Sequence, residues 1–345
     1  MQNLCLRPLK TSMVTKLLSV FLVSMTFLAC NNNKLPDIDH IEAPIDILRF
    51  EKTLFQTDSS RYEIHFDSLK KAYPNFYPLY LNELLSLRQH PLYSQEQLLL
   101  SFTQNPNIQG LKDSCDTRYK NISALESEFE TAFRYYKHYF PNRQIPKIIT
   151  HISEFGPATS SLDSTLIAIS LDMYLGKEFP FYRSISLPSY IIERLEKPFI
   201  VPNAMKTYIN GLYEMDRKNN NLIDEMVQEG KLLYFLDMVL PETADNLKIG
   251  YSEEDLAWCE ENEKMIWSFF IEKNLLFESK QREISKYTAE APNTAGMPPD
   301  SPGRVGSWVG WQIVRKFMQK NPDVSFDELM SKNGQKILQA SKYKP

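Results

Sequence analysis

The stretch from Leu222 to Val239, LIDEMVQEGKLLYFLDMV, constrains the fold more than any other part of the chain. At about 100° per residue, its apolar residues cover most of a helical surface, which predicts a helix buried almost all round. Two carboxylates interrupt the pattern, because Glu229 and Asp237 both project among apolar residues. A buried carboxylate needs a cation, a metal, a hydrogen-bond donor or a proton of its own. The helix therefore predicts partners for both side chains.

Two interpretations of these carboxylates are open at this point. In the first they are structural, with Asp237 capping or pairing near the end of a helix that Pro241 stops. In the second, Glu229 is the remnant of a catalytic or metal site. For a structural Glu229 the predicted cations are Arg304 or Arg315, which lie in a later segment of helical pattern. Those two helices should then pack together.

Composition narrows the class of protein. The 345 residues are 43% hydrophobic and 24% charged, which suits a chain with a full core. A formal net charge of -4, with no cluster of lysine and arginine, argues against nucleic acid as a partner. None of the 11 glycines belongs to a G-x-x-x-x-G-K loop, so nucleotide binding is not expected. We expect no cofactor.

The first thirty residues have the pattern of a processing signal. The apolar run from Leu17 to Leu28 is too short for a transmembrane helix and is typical of a signal peptide. It ends at Phe27-Leu28-Ala29-Cys30, which resembles the bacterial lipobox. We predict that residues 1–29 are removed and that Cys30 is lipid-modified and anchors the chain to a membrane. Met13 is a possible true start, and cleavage near Ala29 in an ordinary secreted protein is the alternative.

Beyond Cys30 a polar segment marked by proline, residues 30–45, is predicted to be a tether, and residues 46–345 a single α-rich globular domain. No acidic residue directly follows Cys30, which favours the outer membrane over the inner. Once Cys30 is acylated, Cys115 and Cys259 are the cysteines left for a disulfide. Two buried free thiols are an equally consistent outcome, since sequence distance carries no geometry.

The periodicity predicts a mainly α fold with a small β-hairpin or sheet, an α+β class. Ile122 to Tyr139 has apolar and aromatic residues at helical spacing. Pro146 to Phe155 and Ser164 to Leu171 are rich in isoleucine and threonine and predict a hairpin or a pair of neighbouring strands. The GPATSSLD between them is predicted to be a turn-rich connection.

A late segment, Ser301 to Met318, is the second unusual feature. Gly306 and Gly310, four residues apart, would form a smooth helical face onto which another backbone could close. Arg304, Trp308 and Trp311 add large planar groups to the same segment. A packing seam and a pocket for a ligand or partner both fit this pattern.

Motifs of known chemistry are not found in the sequence. The five histidines are scattered, and no H-E-x-x-H or G-x-S-x-G occurs. His151, in a predicted strand, is expected to be a hydrogen-bonded structural histidine and not a metal ligand. The sequence therefore predicts no metal site and no catalytic residue.

The chain resembles the GldB family of gliding-motility lipoproteins. The resemblance covers essentially the whole mature chain and rests on the lipobox and on five motifs: YLG at 174–176, DEMVQEGKLLYFLDMVLPE at 224–242, WCEENEKMIW at 258–267, SPGRVGSWVGWQIVR at 301–315 and SKYKP at 341–345. It implies a lipid-anchored envelope protein that is required for gliding, with links to the protein secretion apparatus and no established enzymatic activity.

The order of elements is also similar to that of H-E-x-x-H zinc peptidases, in which a glutamate on a following helix is the third ligand. Here the corresponding glutamate is Glu229, and the place of the histidine helix is taken by PNAMKTYIN. If Asn203 and Thr207 stand at the two ligand positions and Ala204 stands at the base position, the metal and the base are both lost. The resemblance thus implies a degenerate cleft that includes Asn203, Thr207 and Glu229.

Two classes of function follow. The first, which we favour, is a non-catalytic lipoprotein that binds other envelope proteins of the gliding and secretion machinery, with Asp237, Arg304, Trp308, Trp311 and Arg315 as further structural or partner residues. The second is a peptidase or other hydrolase with an unrecognised site. Metal analysis of the purified protein distinguishes the two.

The lipid anchor leads to a direct test. Cys30→Ser should abolish the incorporation of radiolabelled palmitate, because Cys30 is the acylation site that the lipobox offers. Cys115→Ser is the matched control and should leave the label unchanged. Palmitate that still enters the Cys30→Ser protein would contradict the prediction.

Overall fold

A computed structural model describes residues 35–56, 58–87, 90–213 and 220–345. The predicted signal peptide and Cys30 lie outside these ranges. Residues 38–345 form one compact unit. Ala43 is fully buried in it, so the packed chain begins before Asp46. Among the described residues, no helix is both long and apolar enough to cross a membrane.

The first half of the described chain consists of one strand, a series of helices, and then the other three strands of a small sheet. The strand β1 (Ile47–Arg49) leads directly into α1. The helices up to the sheet are α1 (Phe50–Leu54), α2 (Tyr62–Ala72), α3 (Phe76–Leu79) with a π-helical turn (Tyr80–Leu84), α4 (Gln95–Gln104), α5 (Pro106–Arg118) and α6 (Ser123–Tyr139). The strands β2 (Lys147–His151), β3 (Thr159–Leu162) and β4 (Leu166–Ser170) come next, followed by a 3-10 turn (Leu171–Tyr174).

The second half of the described chain is helical. Its helices are α7 (Phe181–Ser184), α8 (Ser189–Ile192), α9 (Ile200–Leu212), α10 (Leu222–Val239), α11 (Asp245–Ile249), α12 (Glu253–Glu261), α13 (Glu263–Glu272), α14 (Gln281–Thr288), α15 (Val305–Lys320), α16 (Phe326–Ser331) and α17 (Gly334–Ser341), with a 3-10 turn (Lys197–Phe199) before α9. The predicted α+β class, mainly α with a small sheet, is confirmed.

Within the described residues, four strands form one mixed sheet in the order β1-β2-β4-β3. The strands β1, β2 and β4 are parallel, and β3 runs antiparallel to β4 with Thr159 opposite Ile169. The two predicted strands are therefore neighbours. The segment predicted as a turn-rich connection contains β3, because its polar TSSL lacks the apolar alternation by which a strand is recognised.

The sheet has a hydrophobic core on each face. Ile167 and Ile169 of β4 belong to the larger core, which contains α6, α9, α10 and α15. Leu166 and Ala168 belong to a smaller core built with Phe50 and the residues around α2 to α4. Because β4 is covered on both faces, its sequence is a continuous apolar run and does not alternate.

Helices α10 and α15 cross at their glycines. A Cβ atom on Gly310 would lie 1.7 Å from the carbonyl oxygen of Met226, and one on Gly230 would lie 2.3 Å from the carbonyl carbon of Gly310. No side chain larger than hydrogen fits at either position without moving a backbone. The predicted packing of these two helices is confirmed, and Gly310 forms a packing seam with Gly230.

His151 is fully buried at the end of β2. Its ring lies 5.8 Å from the ring of Phe76 and 5.7 Å from that of Tyr80, between centroids. Among the described residues neither ring nitrogen has a hydrogen-bond partner. The prediction that His151 is hydrogen-bonded is therefore wrong. The burial lowers the pKa of His151 from 6.5 to about 3, since a charged ring would lose its hydration.

This histidine should make the fold sensitive to acid. The unfolded chain takes up a proton on His151 near pH 6.5, whereas the folded chain does so only near pH 3. Its contribution to stability is therefore complete above pH 6.5 and is lost as the pH falls, by roughly 3 kcal/mol at pH 4. We expect His151→Leu to unfold at the same or higher denaturant concentration at pH 7.

Denaturant titrations of both proteins at pH 7 and pH 4 measure this difference, because the carboxylates that also titrate are common to the two chains. His151→Leu should lose less stability between the two pH values than the unchanged protein. Equal losses would contradict a buried neutral histidine.

Candidate functional site

A polar cleft lies where the edge of the sheet meets α9. Its volume is about 290 Å³, and it is bounded by β3, the 3-10 turn that ends at Tyr174, the segment after α8, and α9. Its lining includes Thr159, Tyr174, Arg194, Asn203, Lys206, Thr207 and Glu290. The structure thus brings together Asn203 and Thr207, two of the residues of the expected degenerate cleft.

One face of α9 forms the floor of the cleft. Asn203, Lys206 and Thr207 are spaced three and four residues apart, so their side chains share a helical face, while Ala204 is buried in the core behind it. The Thr207 hydroxyl lies 2.6 Å from that of Thr159 in β3. These contacts hold the helix against the edge strand.

Glu229, the third expected residue, borders the cleft through an ion pair. Its Oε2 accepts from Lys206 Nζ at 2.8 Å, and the side chains are 25% and 23% exposed respectively. The prediction that Arg304 or Arg315 pairs with Glu229 is wrong. The helical period placed Glu229 among apolar neighbours, but the carboxylate reaches past them toward α9, where a long lysine side chain meets it.

A second set of charges also borders the cleft. Arg194 donates from both terminal nitrogens to the carboxylate of Glu290, at 3.0 and 2.7 Å. Arg304, largely buried, lies 3.3 Å from the same carboxylate and also donates to the carbonyl oxygen of Ile249. Burial acts to raise the pKa of Glu290, but the positive charges of Arg304 and Arg194 outweigh it and lower that pKa.

Neutral donors complete the lining. The amide of Asn203 donates to the hydroxyl of Tyr174 at 3.0 Å. Burial raises the pKa of Tyr174 to about 12, so the phenol keeps its proton at neutral pH. At neutral pH the cleft therefore offers ammonium, guanidinium, amide and hydroxyl groups in one small space.

Asp237 lies in a separate ion network at the far end of α10. Arg315 binds Asp237 through two nitrogens, both at 2.7 Å, and also binds Asp245. Lys248, almost fully buried, lies 3.0 Å from Asp237. Trp311 donates from Nε1 to Asp237 at 2.9 Å, and the Arg315 guanidinium stacks 3.7 Å from the Trp311 ring centre. This network joins α10, α11 and α15.

The remaining candidate residues are part of the core. Trp308 is 2% exposed and lies in the larger hydrophobic cluster. Cys115 and Cys259 are both buried and free, which decides between the two outcomes left open for the thiols. Among the described residues, no group of three histidine, cysteine, aspartate or glutamate side chains is placed to hold a metal ion.

Sequence reasoning missed Arg194, Glu290 and Tyr174 as cleft residues. Arg194 and Glu290 lie in segments between helices and are 96 residues apart, so no periodicity links them. Lys206 could have been predicted as a cleft residue, because it is three residues from Asn203 and therefore on the same face of the helix that the sequence analysis had singled out.

A larger cavity of about 560 Å³ lies between α6, α9 and the residues that follow α10. Val201, Leu240 and Leu247 give it a mainly apolar wall. Its lining also includes the charged residues Glu128, Lys197 and Glu242. We take the smaller cleft as the candidate site because it contains Asn203 and Thr207, which the resemblance to zinc peptidases singled out.

The ion pair of the cleft can be tested by a double-mutant cycle. Lys206→Met, Glu229→Gln and the combined variant should give a coupling of roughly 0.5 to 1.5 kcal/mol in denaturant titrations, because the pair is only partly buried. The exposed pair Lys177–Glu193 is the matched control, with an expected coupling of about 0 to 0.5 kcal/mol. A coupling near zero for Lys206 and Glu229 would contradict the pairing.

Comparison with known protein families identifies the family to which this chain belongs. The family model described as "Gliding motility protein GldB" matches residues 31–345. No curated protein matches the chain, and no solved structure does. The match includes every residue of the cleft and of the Asp237 network. The chain therefore belongs to the GldB family of gliding motility lipoproteins, which are proteins of the cell envelope.

Proposed function

We propose that this lipoprotein acts without catalysis in the gliding and secretion machinery, by binding an extended segment of another envelope protein along β3 beside the polar cleft. Cys30 would hold it to a membrane, with the outer membrane favoured over the inner. The observation that carries this proposal is the edge position of β3. Among the described residues β4 is its one neighbour in the sheet.

The hydrogen-bond pattern indicates which backbone groups of β3 are available. Ser170 N–H donates to the carbonyl oxygen of Ala158, and Lys147 N–H donates to that of Thr165. With the observed register, the even-numbered residues of β4 therefore face β3, and those of β3 face β4. The N–H and C=O groups of Thr159 and Ser161 then point away from the sheet.

The side chains of the same two residues point toward α9. Thr159 meets the Thr207 hydroxyl, and the Ser161 hydroxyl donates to the Thr207 carbonyl oxygen at 3.3 Å. A segment that paired with β3 would alternate its side chains in the same way. Every second side chain of that segment would therefore face the side of the sheet on which the cleft lies.

A non-catalytic role is supported by the state of the charged groups in the cleft. Glu290 is held by two arginines, and Glu229 is paired with Lys206. A general base with a lowered pKa is weak at neutral pH, which disfavours Glu290 in that role. On this proposal the scaffold is a degenerate peptidase-like one, with Asn203 and Thr207 at the former ligand positions. A hydrolase with an unrecognised site is the alternative, and stoichiometric zinc in the purified protein would favour it.

A proline on the free edge tests the strand-binding role. Ser161→Pro removes the N–H that would donate to the bound segment, and edge strands accept proline where the N–H faces away from the sheet. Cells carrying this variant should accumulate a folded protein but lose gliding. Ser161→Ala, which removes only the hydroxyl, is the matched control and should glide normally.

Gliding is measured by colony spreading and single-cell speed, with the envelope level of each variant checked by immunoblot. Ser161→Pro cells that glide at the normal speed would contradict a role for the free edge. Ser161→Ala cells that also fail to glide would assign the loss to the contact with Thr207 and would equally count against strand binding.

A further inference from the structure

We propose that the cleft selects a segment that carries a carboxylate, either as an acidic side chain or as its free C-terminus. This inference rests on the proposed function, since it names the chemistry of the group that the cleft receives from a segment bound along β3. Its basis is an imbalance of charge among the described residues around a small cavity.

Three cations meet two carboxylates at this place. Arg194 and Arg304 share one carboxylate, that of Glu290, while Lys206 pairs with Glu229. One positive charge of the described set is therefore not neutralised within it. The network of Asp237, Asp245, Lys248 and Arg315 is different, because its two cations and two carboxylates balance.

Arg194 keeps donor capacity toward the cleft. A guanidinium has five N–H bonds; here Nε donates to the carbonyl oxygen of Tyr190, and each terminal nitrogen donates one bond to Glu290. One N–H on each terminal nitrogen is left. The side chain is 17% exposed and lines the cavity. On this proposal these two N–H groups donate to the ligand that enters there.

Lys206 contributes from the floor of the cavity. Its ammonium group has three N–H bonds, and the structure records one of them, to Glu229. Asn203 lies three residues before it on the same face of α9, and Tyr174 stands beside Asn203. The donors around the cavity thus come from both charged and neutral groups.

The size of the cavity limits what it can hold. Pockets for whole drug-sized ligands measure about 300 to 1,000 Å³, and this cavity, at about 290 Å³, lies at the lower limit. It therefore suits a single side chain or chain terminus of a longer segment. A carboxylate meets the spare donors with short, charge-assisted hydrogen bonds, whereas a lysine would add a fourth cation.

Labelled peptides test this selectivity on the full mature chain in detergent. The probes are fluorescein-Thr-Val-Thr-Glu-Thr-Val-Thr amide, the same peptide with glutamine in place of glutamate, and the glutamine peptide with a free C-terminal carboxylate. We expect at least one carboxylate peptide to bind about tenfold more tightly than the glutamine amide in fluorescence anisotropy, a difference of about 1.4 kcal/mol. Which of the two does so identifies the source of the carboxylate.

Variants assign the preference to the cleft. Lys206→Met should reduce the tenfold preference to about twofold or less, where the preference is the ratio of the affinities for the carboxylate peptide and the glutamine amide measured on the same variant. Arg194→Lys keeps the charge but loses the fork of donors, and it should weaken the preference as well. Lys177→Met removes a cation that lies outside the cavity lining and is the matched control, which should behave as the unchanged protein.

The outcomes separate this inference from the proposed function. Equal binding of all three peptides, lost in Ser161→Pro, would overturn carboxylate selection and leave strand binding in place. Binding that Ser161→Pro does not alter would overturn strand binding along β3, and with it the inference. A carboxylate preference that survives in Lys206→Met and Arg194→Lys would place the anion elsewhere and would also overturn it.

Discussion

The close crossing of α10 and α15 is the constraint on which the rest of the structure depends. At Gly230 and Gly310 the two backbones touch, because neither position has a side chain to separate them. Such contact allows the flanking apolar residues of both helices to be buried together, each contributing roughly 1.5 to 3 kcal/mol for a side chain the size of leucine. A single methyl group at Gly310 would overlap the Met226 carbonyl and force the helices apart. The position of every element packed on this pair follows from that crossing.

Two ion networks lie beside this helix pair, and they have different properties. The network around Asp237 is balanced in charge and ties α10 to α11 and α15, so it fixes the relative position of three helices. The set around Glu290 borders a cavity and has one more cation than carboxylates among the described residues. Because its charges balance, the first network is suited to stability. Unbalanced and open to a cavity, the second is suited to binding.

Much of the fold was predictable from the sequence. The apolar pattern of Leu222 to Val239 gave the bounds of α10 correctly, since Asn221 caps its start and Pro241 follows its end. The same reasoning found the neighbouring strands β2 and β4 and the α+β class. It also predicted a close approach of another backbone at Gly310, although the ion pair from which it inferred the packing of α10 on α15 is not formed. It did not find β3, because a polar edge strand is defined by its pairing with β4 and not by its own composition. The sequence pattern therefore did not predict the proposed binding edge.

The sequence by itself determined local features: the periodicity of helices and strands, the end of α10 before Pro241, and the motifs that carry the family resemblance. Only the tertiary structure decided which charges meet. Glu229 pairs with Lys206 and not with an arginine of α15, His151 has no partner among the described residues, and Arg194 meets Glu290 across 96 residues. The reason is physical. A helical or strand pattern states which face a side chain occupies, but a long charged side chain reaches several ångströms, and its partner depends on how distant segments pack.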